Sequence, residues 1–145
     1  MAFKEVTLTS FPAHEAAILY RSSGTTGSRR SNHYLENLTL YDASLLANFK
    51  SYVLPDVDKM RMVILGPSVE MQPDSSLTHM LARINLCLGT EHRAFYLRGS
   101  GLDIETLVRD LRGAETMDAP VCMLGTAFAF VHFLDECLAR GLSFR

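Results

Sequence analysis

The 145-residue chain has only three cysteines, Cys87, Cys122 and Cys137, widely spaced and odd in number. With no Cys-x-x-Cys pair, the pattern fits reduced thiols in a core better than a disulfide framework or a zinc site. An excess of one charge is also missing, since 14 Lys and Arg face 16 Asp and Glu for a formal net charge of −2. A nucleic-acid binder carries a basic footprint, so that class is set aside. No apolar run approaches the roughly 18 residues needed to span a bilayer. The start, Met1-Ala2-Phe3-Lys4-Glu5, has an acidic residue and lacks the apolar core of a secretory leader. A cytoplasmic location is the expectation. The sequence shows no clustered carboxylates to hold a divalent cation, no internal repeat, no low-complexity tract and no linker dividing two domains.

What is present is enough apolar material, 48% of residues, for one domain over residues 1–145 with a real core. Alternation in Phe3-Lys4-Glu5-Val6-Thr7-Leu8 predicts a first strand, and Ile18-Leu19-Tyr20 a second. From Leu38 to Val53, Tyr41, Leu45, Phe49, Tyr52 and Val53 recur at helical spacing opposite Asp42, Asn48 and Lys50, and Pro55 stops the helix. Arg61 to Leu65 reads as a buried strand ending at Gly66-Pro67. Asp74-Ser75-Ser76 offers N-caps for a helix with Leu77, Met80, Leu81, Ile84 and Leu88 inside, ending at Gly89.

Ala94 to Leu97 is a further strand. Asp103 to Leu111 is a helix stopped by Gly113, and Pro120 to Leu124 another buried strand. Thr126 caps a last helix through Leu138 that closes at Gly141. Apolar strands alternating with amphipathic helices predict an α/β domain, three-layered, with a mainly parallel sheet flanked by helices.

The chemically distinctive stretch is Tyr20-Arg21-Ser22-Ser23-Gly24-Thr25-Thr26-Gly27-Ser28-Arg29, with Arg30 following. Glycines let successive N–H groups face one concavity, and no Cβ blocks an approaching oxygen. Ser and Thr hydroxyls donate to phosphate oxygens, and a guanidinium binds them with two parallel hydrogen bonds. Arg21, Arg29 and Arg30 form the tight basic cluster, which suits a single anionic ligand. A strand before the loop would place it at a carboxyl edge, where open α/β sheets bind ligands. The stretch is neither a Walker A loop, lacking Lys-Ser or Lys-Thr, nor G-x-G-x-x-G. A solvated Gly/Ser/Thr turn is the alternative.

Ser22-Ser23-Gly24-Thr25-Thr26-Gly27 resembles the phosphate loop of the adenylate-forming (acyl-activating) enzymes, most of all the acyl-protein synthetase (LuxE-like) branch. There the loop is commonly followed by Arg-Ser and a His, as in Arg30-Ser31-Asn32-His33. Ser75-Ser76-Leu77 with Met80, and Gly125-Thr126-Ala127-Phe128, match further motifs in the same order. The resemblance implies ATP-dependent activation of a carboxylic acid, fatty in this branch, to an acyl-adenylate, with Mg2+ arriving with ATP. A thiol acceptor on a carrier protein or coenzyme A then takes the acyl group. It implies that Ser22, Ser23, Thr25 and Thr26 donate to phosphate oxygens and that Gly24 and Gly27 let the loop fold over them. Arg30 stands where most branches carry lysine, which exchanges a compact ammonium for a broad fork.

Enzymes of this kind are longer, so the chain is read as the core of a larger protein, inactive alone. Its uncovered apolar surface should promote self-association. The acyl-accepting cysteine of that branch belongs to a region beyond these residues, so none of the three cysteines takes the role. A phenylacetate-type coenzyme A ligase and a non-catalytic nucleotide- or anion-binding module are the competing readings. Other candidates are weaker. Ser68 in Gly66-Pro67-Ser68 lacks the second glycine of a nucleophile elbow. His33 reads as a surface residue near the loop, His79 and His132 as boundary residues, and Cys122 as core.

Overall fold

The computed structural model describes residues 6–23, 30–90, 94–99 and 101–145. The protein is mixed α/β. Strands β1 (Ile18–Arg21) and β2 (Asn32–Leu35) form an antiparallel hairpin, and α1 (Thr39–Tyr52) follows. Then come β3 (Arg61–Leu65), α2 (Ser76–Leu88), β4 (Leu97–Arg98), β5 (Gly101–Leu102), α3 (Ile104–Thr116), β6 (Val121–Gly125) and α4 (Ala127–Ala139). Among the described residues, β3 and β6 make a small parallel sheet, in register from Arg61 opposite Val121 to Leu65 opposite Gly125.

On its other side, Ile64 donates to the Ala94 carbonyl at 2.7 Å and accepts from Tyr96 N–H at 3.0 Å. The expected strand at Ala94–Leu97 is therefore only a parallel bridge. Leu97 turns away to pair with Leu102, through a reversal that uses Gly101 at φ 147°. Among the described residues, two of the three strand pairs are thus antiparallel hairpins.

β3 is buried on both faces, which explains its unbroken apolar sequence. Val63 and Leu65 pack with Leu107 and Leu111 of α3 and Phe133 and Cys137 of α4. Met62 and Ile64 pack with Leu81 and Ile84 of α2, and with Leu45 and Phe49 of α1.

The helix caps agree closely with sequence. Ser75, Asp103 and Thr126 side chains accept from Thr78, Thr106 and Ala129 N–H. Asn37 Oδ1 does the same for Thr39 at 3.0 Å, one residue before the formal cap of α1. Gly141, at φ 62°, closes α4 while Leu142 N–H returns to the Cys137 carbonyl at 2.8 Å. Gly89 is required by space, since a Cβ there would lie 2.3 Å from the Asn85 carbonyl oxygen.

Several expectations are corrected. Val6–Leu8 is exposed and irregular rather than a strand, and residues 3–5 lie outside the described ones. α3 continues past Gly113 because Leu111 and Ala114 are both buried, a gain exceeding the roughly 1 kcal/mol that an internal glycine costs. The helix stops at Asp118 instead, in the left-handed region at φ 49°, with Ala119 N–H bonded back to the Ala114 carbonyl. Leu77, Tyr52 and Val53 are exposed, and Thr78 takes the inner position beside Leu81. Asp42 faces α2 rather than solvent.

Tyr96 is fully buried, and its hydroxyl donates to Asp110 Oδ2 at 3.0 Å. Burial first, then the bond to Asp110 and its charge, push the phenol up to about 12 from 10.0, with Arg61 opposing. Because the folded value lies above the unfolded one, this contribution is complete below pH 10 and is lost as pH rises through about 12. Urea midpoints should fall across that window by the equivalent of about 2 kcal/mol. Tyr96→Phe should flatten the fall while costing about 1 kcal/mol at neutral pH.

Candidate functional site

The glycine-hydroxyl loop is the connection of the β1–β2 hairpin. It follows the carboxyl end of β1, as expected, but that strand belongs to an antiparallel hairpin and not to the parallel pair, so the expected open parallel-sheet edge is corrected. Alternate residues of β1 explain the hairpin's seating, because Tyr20 is buried while Arg21 is exposed.

Beyond Arg21 the ladder runs one step further. Ser22 N–H donates to the Ser31 carbonyl at 3.0 Å, and Ser31 N–H donates to Ser22 Oγ at 2.9 Å. Arg30 Nε donates to the Ser22 carbonyl at 2.6 Å, closing the base of the loop. Gly24, Thr25, Thr26 and Gly27 fall outside the described residues. Ser22, Ser23 and Arg30 stand at the base, with Ser23 and Arg30 exposed.

The base is tied to the start of α2. Arg21 N–H donates to the Asp74 carbonyl at 2.8 Å. Asp74 Oδ2 meets Arg30 Nη1 at 3.3 Å and Arg21 Nη1 at 3.5 Å. Two guanidinium groups share one carboxylate oxygen, so the base keeps a net positive charge, partly exposed to water. Asp74 immediately precedes the Ser75 cap, which brings the base of the loop to the Ser75-Ser76-Leu77 motif. Gly125-Thr126 lies at the carboxyl end of the β3–β6 pair, where a Cβ on Gly125 would sit 3.0 Å from that of Leu65.

Behind the hairpin, Tyr20, Tyr41 and His79 form a ring cluster with centroids 5.8–6.3 Å apart. At that separation the rings fill the space between themselves and leave no cage for a ligand. His79 Nε2 lies 2.7 Å from Asp42 Oδ1, and Arg83 Nε lies 2.9 Å from Oδ2 as a charge contact without hydrogen-bond alignment. Tyr41 O–H donates to the Ser76 carbonyl at 3.2 Å. Burial, followed by neighbouring charge, raises the phenols of both Tyr20 and Tyr41. This cluster seats β1 on α1 and α2.

His33 is exposed, with Nε2 3.4 Å from Ser31 Oγ. Ser68 lies in a turn that accepts from Met71 and Gln72 N–H. The Cys122 thiol is pushed up by burial, away from the thiolate a nucleophile needs. His132 is exposed on α4.

Sequence reading missed Asp74 as the partner of two arginines and Asp42 as the partner of His79 and Arg83. The second carried a signal, because a histidine and an arginine four apart on one helix can converge on one carboxylate. Among the described residues, no group of three or more His, Cys, Asp or Glu could hold a metal ion. Nor is any helix there long and apolar enough to cross a membrane. No family model matches the chain, and neither a curated protein nor a solved structure matches it.

Proposed function

We propose that this chain is the loop-bearing core of an ATP-dependent, cytoplasmic acyl-activating enzyme of acyl-protein synthetase type. In this reading its helices and small parallel sheet are part of a three-layer domain that a longer enzyme completes. The carboxylate of a fatty acid bonds to the α-phosphorus of ATP as pyrophosphate leaves, and a thiol then displaces AMP. The obstacle is the approach of one anion to another, so fixed donors and cations about the phosphates supply most of what the protein contributes.

The observation that carries the reading is a hydroxyl- and glycine-rich loop whose base is locked by the Ser22–Ser31 bonds and held at net positive charge by Arg21 and Arg30. That base fits a polyphosphate. Ser22 Oγ accepts from Ser31 and still has its own proton to donate, and Ser23 is exposed. The Ser23, Thr25 and Thr26 hydroxyls and Arg30 would hold phosphate oxygens, while Gly24 and Gly27 admit them. Magnesium would enter bound to ATP.

One observation favours a non-catalytic anion-binding module, namely that Arg30 is already engaged by Ser22 and Asp74. Carboxylate-dependent ATP–pyrophosphate exchange, assayed in the full-length protein, separates the two. Exchange supports the ligase, binding of ATP or tripolyphosphate without exchange supports the module, and absence of both ends the proposal. If exchange occurs, coenzyme A and a protein thiol compared as acceptors distinguish a coenzyme A ligase from an acyl-protein synthetase.

A further inference from the structure

α4 buries Phe133 and Cys137 against the sheet and turns a second apolar face to solvent. On that face Phe128 and Leu138 are 87% and 83% exposed, and Val131 and Leu134 are 54% and 60% exposed. The spacing of Phe128, Val131, Leu134 and Leu138, by three or four residues, makes one continuous stripe along the helix. Isolated exposed leucines are ordinary, but a contiguous patch this large on a small protein marks an interaction surface.

The stripe is self-complementary. Laid antiparallel on a second copy, with a two-fold axis at the level of Phe133, Phe128 meets Leu138 and Val131 meets Leu134 of the second copy. The same operation sets His132 opposite Asp135. Both are exposed, and neither has a polar partner among the described residues. A two-fold axis makes each contact twice and closes the assembly at two copies. The four apolar side chains offer on the order of 500 Å2 per copy, so the pair covers about 1,000 Å2, the lower bound for a specific interface.

We propose that the outer face of α4 is a homodimer surface, in which two copies pack their α4 helices antiparallel about a two-fold axis. The inference does not depend on what the loop binds. Sedimentation of the 145-residue chain over a range of concentrations should show a reversible monomer–dimer equilibrium that goes no further. Leu134→Glu should weaken it at least tenfold with an unchanged helical spectrum, the residue being exposed. Asp135→Lys should also weaken it, and adding His132→Asp should restore it, which a merely sticky surface would not do. A wild-type chain that stays monomeric overturns the proposal. So does association that grows beyond two copies, or that ignores Leu134→Glu and the charge exchange.

Discussion

Thr25→Ala, Thr26→Ala and Arg30→Ala combined should abolish carboxylate-dependent ATP–pyrophosphate exchange in the full-length protein, by about a thousandfold or more, with helix content unchanged. On the proposed reading each removes a donor or charge that would hold the phosphates, and single donors of this kind are commonly worth about a hundredfold or more. The three effects need not multiply, since groups acting on one anion share it. Arg30 also closes the loop through the Ser22 carbonyl, so circular dichroism must accompany the assay. Exchange that survives in a folded triple variant rejects the loop as the phosphate site. Loss of folding assigns these residues a structural role.

Leu107→Ala should destabilise the protein by about 2–5 kcal/mol. Leu107 is 0% exposed and lies between α3 and the Val63–Leu65 face of β3. The cavity would open in a cluster that also holds Tyr96 and Phe133. Leu40→Ala, at an 82% exposed position, should change stability by no more than about 0.5 kcal/mol. Urea unfolding with constant slope measures both, and equal losses would contradict this assignment of the core.

β3 was readable because burial on both faces leaves an unmistakable mark, whereas β6, expected to be buried, is only half-buried. Met62 to Leu65 and Cys122 to Leu124 are apolar without alternation, and sequence reading also found the caps at Ser75 and Thr126, though it placed Asp103 inside α3 rather than at its cap. Errors arose where a local rule met a tertiary one. Gly113 is a sound stop signal until the burial of Ala114 outweighs it, and Leu77 is a sound core residue until the chain's phase puts Thr78 inside. Whether Leu97 continued along β3 or reversed depended on the backbone at Gly101, which composition does not encode.

The candidate site was legible as a loop but not as a hairpin. Nothing near Ser22 announces Ser31 as its ladder partner, and Asp74 lies 44 residues from Arg30 in the chain. Asp42 was assigned to solvent by helical phase. Its pairing with His79 and Arg83 arises only when α1 packs on α2.

The β1–β2 hairpin shares no strand pairing with β3, and the side chains of Tyr20 and Asp74 help fasten it to the body. A tip mounted this way behaves as a replaceable cassette. Its length and chemistry can diverge, or be swapped by an engineer, while the hydrophobic core beneath goes undisturbed.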